Sequence, residues 1–210
     1  MQTVSKPNSG LTWTVSLAFV LCSAFVCRAQ TPAKPLSPSE SRSRLIANAL
    51  EQTKVTDKYD ASYIRLKYPG GDVPLDRGVC TDVLVRAFRA AGIDLQKAVH
   101  EDVAANFSSY PHAKGQTGAD ANIDHRRVRM LMTYFHRQTK AVPITPTSKD
   151  YRPGDIVAWD LGGNLTHIGI VSDEKDAWIG RYKVIHNIGR GTRLEDVLFD
   201  WKIIGHYRYF

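Results

Sequence analysis

The chain has 210 residues, with 28 lysines and arginines against 21 aspartates and glutamates, for a net charge of +7. No basic run is interleaved with aromatics and the arginines are scattered, which argues against a nucleic-acid binder. The modest positive excess suits an acidic cell-wall polymer or an anionic membrane surface.

From the amino end, Lys6 supplies a short basic region and Leu11 to Val26 is apolar and uncharged. Arg28-Ala29-Gln30 then offers a small residue at a cleavage point, so residues 1–29 read as a secretion signal and the protein as exported, periplasmic or extracellular. The apolar run falls short of the ~20 residues of a spanning helix, although a retained anchor is the alternative reading. Large residues, Leu21 and Val26, precede Cys22 and Cys27 and argue against lipid attachment there. No apolar stretch of comparable length follows, so no membrane span is expected after cleavage. Loss of Lys6 and Arg28 leaves a charge of +5, and loss of Cys22 and Cys27 leaves Cys80 as the single cysteine.

Residues 30–44 read as a flexible linker, proline- and serine-rich from Thr31 to Ser39, and residues 45–210 as one domain with a core that needs no disulfide. Ser37-Pro38-Ser39-Glu40 has the form of a capping box, opening a helix with Leu45, Ile46, Ala49 and Leu50 on one face. The turn Pro69-Gly70-Gly71-Asp72-Val73-Pro74 is expected to lead by an irregular loop to Cys80. From there Val83, Leu84, Ala87, Phe88 and Ala91 form one helical stripe, ended by Gly92. Leu95 to Phe107 predicts a short helix, residues 108–120 a polar loop, and Ile123 to Arg137 another helix. Beyond residue 150 short strands replace helices, at 155–159, 167–171, 182–186 and 203–209, separated by turn residues. Helices first and strands later predict an α+β fold, with helices packed on a small antiparallel sheet.

Cys80 heads its helix, where amide dipoles favour a thiolate. In an oxidising compartment an unpaired cysteine is either buried core or a thiol kept for its reactivity. A thiol hydrolase also needs an imidazole to take and return the proton and a third polar group to orient that imidazole. His167 opens one strand and His186 closes the next, so both can share the sheet face against which the Cys80 helix packs. Alternation puts His186 and Asn187 on opposite faces, so only one can orient His167. Asp82 suits the helix dipole, while Asn122 and Asp124 suit a cap. Arg126 offers a planar fork for a substrate carboxylate. His100, His112, His125, His136 and His206 have no spacing that demands a role, and Asp155 reads as a turn residue.

Several stretches resemble a bacterial exported family, domain of unknown function 1287, of the papain-like, NlpC-type clan of cell-wall amidases and peptidases. They are Tyr68-Pro-Gly-Gly-Asp-Val-Pro74, Gly78-Val-Cys-Thr-Asp82, Asn122-Ile-Asp-His-Arg126, Pro153-Gly-Asp155, Thr166-His-Ile-Gly-Ile170 and Val184-Ile-His-Asn187. The resemblance implies a papain-like fold, with Cys80 as nucleophile, His167 as general base and acid, His186 as orienting residue and Tyr68 on the oxyanion side. It implies a cysteine hydrolase cutting amide bonds in peptidoglycan peptides, with no cofactor and no metal. The chain departs from the pattern Asp-Cys-Ser-Gly, having Val79-Cys80-Thr81-Asp82 instead. Two other functions compete: a non-catalytic cell-wall binding module on the same fold, and a zinc site built from Cys80, His167 and His186.

Overall fold

A computed structural model describes residues 1–3, 10 and 34–210. The secretion-signal reading, and Cys22 and Cys27 with it, falls almost wholly outside the described residues. Among them, no helix is long and apolar enough to cross a membrane.

Helix α1 (Pro38–Val55) begins where the capping box placed it: Ser37 Oγ accepts from the Glu40 amide, and the Ser37 amide donates to the Glu40 carboxylate. The linker therefore ends at Ser37, because Pro38 to Arg44 already belong to the helix. Two short strands, β1 (Lys58–Tyr59) and β2 (Arg77–Gly78), pair in parallel and carry the chain to α2 (Cys80–Ala90). Gly92, at φ +90°, closes α2 in the left-handed conformation that glycine adopts without steric cost. Next come α3 (Leu95–Ala105) and α4 (Val128–Arg137). The helix expected from Ile123 is broken at Arg127 (φ −109°, ψ 123°), which separates a 3-10 turn, Asp124–Arg126, from α4.

The remaining chain forms a five-stranded antiparallel sheet in the order β6-β5-β4-β3-β7. The strands are β3 (Ile156–Gly162), β4 (Leu165–Lys175), β5 (Tyr182–Asn187), β6 (Thr192–Glu195) and β7 (Lys202–Tyr207). The α+β expectation holds, with four α-helices among the described residues. Strand alternation sorts the sheet into two faces. Ile156, Ala158, Ile168, Ile170 and Ile185 pack with Leu45, Val83, Leu84, Phe88 and Leu131 of the helices. Val157, Trp159, Val171 and Val184 point the other way, into a second core with Tyr151 and Leu198. Strand β6 was not anticipated: only Leu194 is apolar in Thr192-Arg193-Leu194-Glu195, so no alternation marks it.

Candidate thiol and histidine site

The N-terminus of α2 is held by charge. Asp82 Oδ2 accepts from the Val79 amide at 2.7 Å, and the Asp82 carboxylate takes a two-pronged bond from Arg126, Nε to Oδ1 at 2.9 Å and Nη2 to Oδ2 at 3.0 Å. Arg126 also donates to the carbonyls of Ser62 and Asp60, and its own carbonyl accepts from Thr81 Oγ1. A guanidinium so occupied is not a free fork for substrate. Arg126 instead ties the start of α2 to the 3-10 turn and to the segment before β2, a structural role the sequence did not separate from binding.

Cys80 is 5 % exposed and stands at the first helical position. Its sulfur is met by the backbone amide of Ile168 as well as by the amides of Thr81 and Cys80 itself. The sheet explains why that Ile168 N–H is free. The peptide groups of Val171 bond toward β3, the Val171 amide donating to the Asp155 carbonyl, so alternation turns those of Ile170 and Ile168 toward β5. The β4–β5 register includes Ile170↔Ile185 but pairs no β5 residue with Ile168, since β5 diverges and Asn187 Nδ2 donates to the carbonyls of Gly78 and Lys58. The thiol sits in that fork.

The two histidines share one face, as expected, but it is the face turned away from the helices. His167 stacks on Trp159, with centroids 5.7 Å apart at 26°, and meets Trp201 edge-on. Its Nε2 lies 2.8 Å from His186 Nδ1, and His186 Nε2 lies 3.0 Å from Glu195 Oε2. The partner of His167 is therefore His186, while Asn187 serves the helix side. Among the described residues no hydrogen bond joins Cys80 to His167. The cysteine and histidine sides are linked through the His167–Ile168 peptide, whose Ile168 amide faces the sulfur.

Burial dominates the electrostatics. It pushes the Cys80 thiol up to about 12, overriding the Ile168, Thr81 and Cys80 amides, and the charge on Asp82 adds to the rise. Burial also brings His167 down to about 3, with His186 contributing, and lowers His186 against the pull of Glu195 and Asp200. The resting pair is thiol and neutral imidazole, not the thiolate expected from helix position alone.

Residues 46–209 match the family model described as Domain of unknown function (DUF1287). The chain belongs to this family. It is also 53% identical over 162 residues to the Escherichia coli (strain K12) protein named "Uncharacterized protein YijF", an alignment covering 77% of this chain and 78% of the relative.

In this DUF1287 domain, Cys80 opens onto a cleft of about 450 Å³ whose wall includes Tyr59, His112, Arg127, Arg129 and Thr166. Arg127 and Arg129 are exposed and have no carboxylate within ion-pair distance among the described residues, so the rim is cationic. Tyr68 is not part of it. That side chain is exposed and packs edge-on against His100, and the tyrosine beside the thiol is Tyr59, whose hydroxyl is raised chiefly by burial, with the Asp82 charge adding to the rise. Its only sequence signal was an aromatic in a two-residue strand. The zinc arrangement finds no support, since no group of three His, Cys, Asp or Glu side chains converges as a metal site among the described residues.

Gly169 of this domain permits the histidine pair. A Cβ there would lie 2.7 Å from Val184 Cγ1, 3.1 Å from the Ile185 carbonyl and 3.2 Å from His186 Cβ. Gly169→Ala is expected to destabilise the domain by about 1–3 kcal/mol through overpacking. Urea unfolding measures this, and an unchanged midpoint would mean that β5 yields freely.

Proposed function

We propose that this DUF1287 domain is a papain-like, NlpC-type thiol hydrolase that cleaves amide bonds in peptidoglycan peptides. Cys80 is its nucleophile, His167 its base and acid, and His186 the orienting residue. The observation that carries the reading is the His167–His186 bond at 2.8 Å, which occupies Nε2 and leaves Nδ1 without a hydrogen-bond partner among the described residues, while the next amide in the chain, that of Ile168, faces the thiol. In the reaction His167 Nδ1 takes the thiol proton and sulfur bonds to the carbonyl carbon. Backbone amides at the head of α2, that of Cys80 among them, face the oxyanion. Collapse breaks the C–N bond, the amine leaves with the proton from His167, and a thioester remains. Water, deprotonated by His167, then displaces sulfur and frees a carboxylic acid. The cationic rim suits acidic wall peptides, and the expected export suits their location.

One observation favours a second reading, a non-catalytic cell-wall binding module. The thiol and imidazole are both neutral and not hydrogen-bonded to one another, so proton transfer between them is strongly uphill while both stay dry. Digestion of purified peptidoglycan, with products identified by mass, separates the two. Under the hydrolase reading the wild type releases fragments with new amine and carboxyl ends and Cys80→Ala releases none. Identical digests, with both proteins co-sedimenting with the polymer, would leave the binding module.

A further inference from the structure

We infer that Glu195, in the edge strand β6, sets the direction of protons through the histidine pair and is a positioning residue for His167. A neutral imidazole has one N–H donor and one acceptor nitrogen, whereas a carboxylate only accepts. Glu195 Oε2 at 3.0 Å therefore requires the proton of His186 on Nε2. His186 Nδ1 is then a lone pair and can only accept, so the 2.8 Å bond places the proton of His167 on Nε2. What is left on His167 is Nδ1 with a free lone pair, the form a base needs.

Without the carboxylate, His186 is free to carry its proton on Nδ1 and donate to His167 Nε2. His167 would then hold its own proton on Nδ1 and offer an N–H where a base is wanted. Register and packing make the arrangement specific. β6 pairs with β5 at Val184↔Glu195 and His186↔Arg193, which brings Glu195 onto the His186 face. The charged groups around His186 are Glu195 and Arg193 on β6 and Asp200 in the loop that follows, with His167 on β4. Of these, Glu195 and His167 touch its ring nitrogens. Trp159 and Trp201 pack against the pair, with Trp201 6.4 Å from the His186 ring, and shield the inter-histidine bond from water. The purpose of the device rests on the hydrolase reading, but the proton pattern does not.

Nitrogen-15 spectra of histidine-labelled protein read the tautomers directly, with His167→Gln and His186→Gln identifying the signals. Wild type is expected to show a protonated Nε2 and an unprotonated Nδ1 on both rings. In Glu195→Leu the His167 pattern should reverse or average, and any hydrolysis of peptidoglycan should fall about 10–100-fold in kcat/KM, the range typical of carboxylates that orient metal-bound histidines. Glu195 is partly exposed, so folding should survive, and Glu195→Gln, whose amide can donate as well as accept, should give a mixed pattern and repeats the test if the leucine variant does not fold. An unchanged His167 tautomer in the folded variants overturns the inference even if hydrolysis is lost. A shifted tautomer in a protein that never hydrolyses the polymer upholds it and sinks the hydrolase reading instead.

Discussion

Arg126→Met is expected to cost about 3–5 kcal/mol of folding stability, because it breaks a buried ion pair by removing one partner. The methionine fills much of the space but leaves Asp82, whose side chain is 4 % exposed, as a buried charge without its cation. It also strips a donor from each of the Ser62 and Asp60 carbonyls, which anchor the segment before β2. Arg126→Lys keeps the charge but loses the two-pronged geometry, so its loss should be smaller. Asp82→Asn combined with Arg126→Met should cost less than the sum of the two, since each single change leaves the other partner stranded. Urea unfolding of the four proteins measures the coupling. A loss under about 1 kcal/mol for Arg126→Met would show that the guanidinium does not hold α2, and would return it to the substrate role its fork suggested.

That contrast marks how far the sequence carries. The capping box at Ser37, the stripe on α2, the glycine stop at Gly92 and the strands of the main sheet were legible because each follows from local periodicity or local backbone chemistry. The family was legible from motifs, and His167 beside His186 followed from two neighbouring strands. The face they occupy was not, because it depends on which residues of β4 meet the helices, and Ile168 and Ile170 take that side. Tyr68 and Tyr59 could not be told apart without the path of the chain before α2. Glu195 was invisible for the same reason as its strand: a charged residue in a short edge segment carries no pattern. The state of the thiol misled because position at a helix start and burial pull in opposite directions, and only packing decides which is larger.

Iodoacetamide is expected to alkylate Cys80 in the folded protein about 1000-fold more slowly at neutral pH than a free cysteine, whose thiol titrates near 8.5. With the thiol pushed up to about 12, the rate should climb steadily with pH from 6 to 9 and show no plateau. Concentrated urea, which removes the burial, should restore the ordinary rate. His167→Gln should leave the profile unchanged, because an imidazole brought down to about 3 carries no proton in that range. The same shifts act on stability. The thiol, raised in the folded state, contributes stability that is complete below its unfolded value and is lost as pH rises toward 12. His167, lowered in the folded state, contributes stability that is complete above about 6.5 and is lost as pH falls toward 3. A plateau in alkylation between pH 5 and 7 would instead mean that an imidazolium–thiolate pair already exists, and the dry, neutral description would be wrong. If slow alkylation accompanies genuine peptidoglycan cleavage, the substrate itself must bring Cys80 and His167 into contact at the β4–β5 fork, since catalytic hydrogen bonds can tighten only once substrate is bound. If it accompanies no cleavage, the neutral thiol is a wall of a binding cleft and the binding module is the better reading.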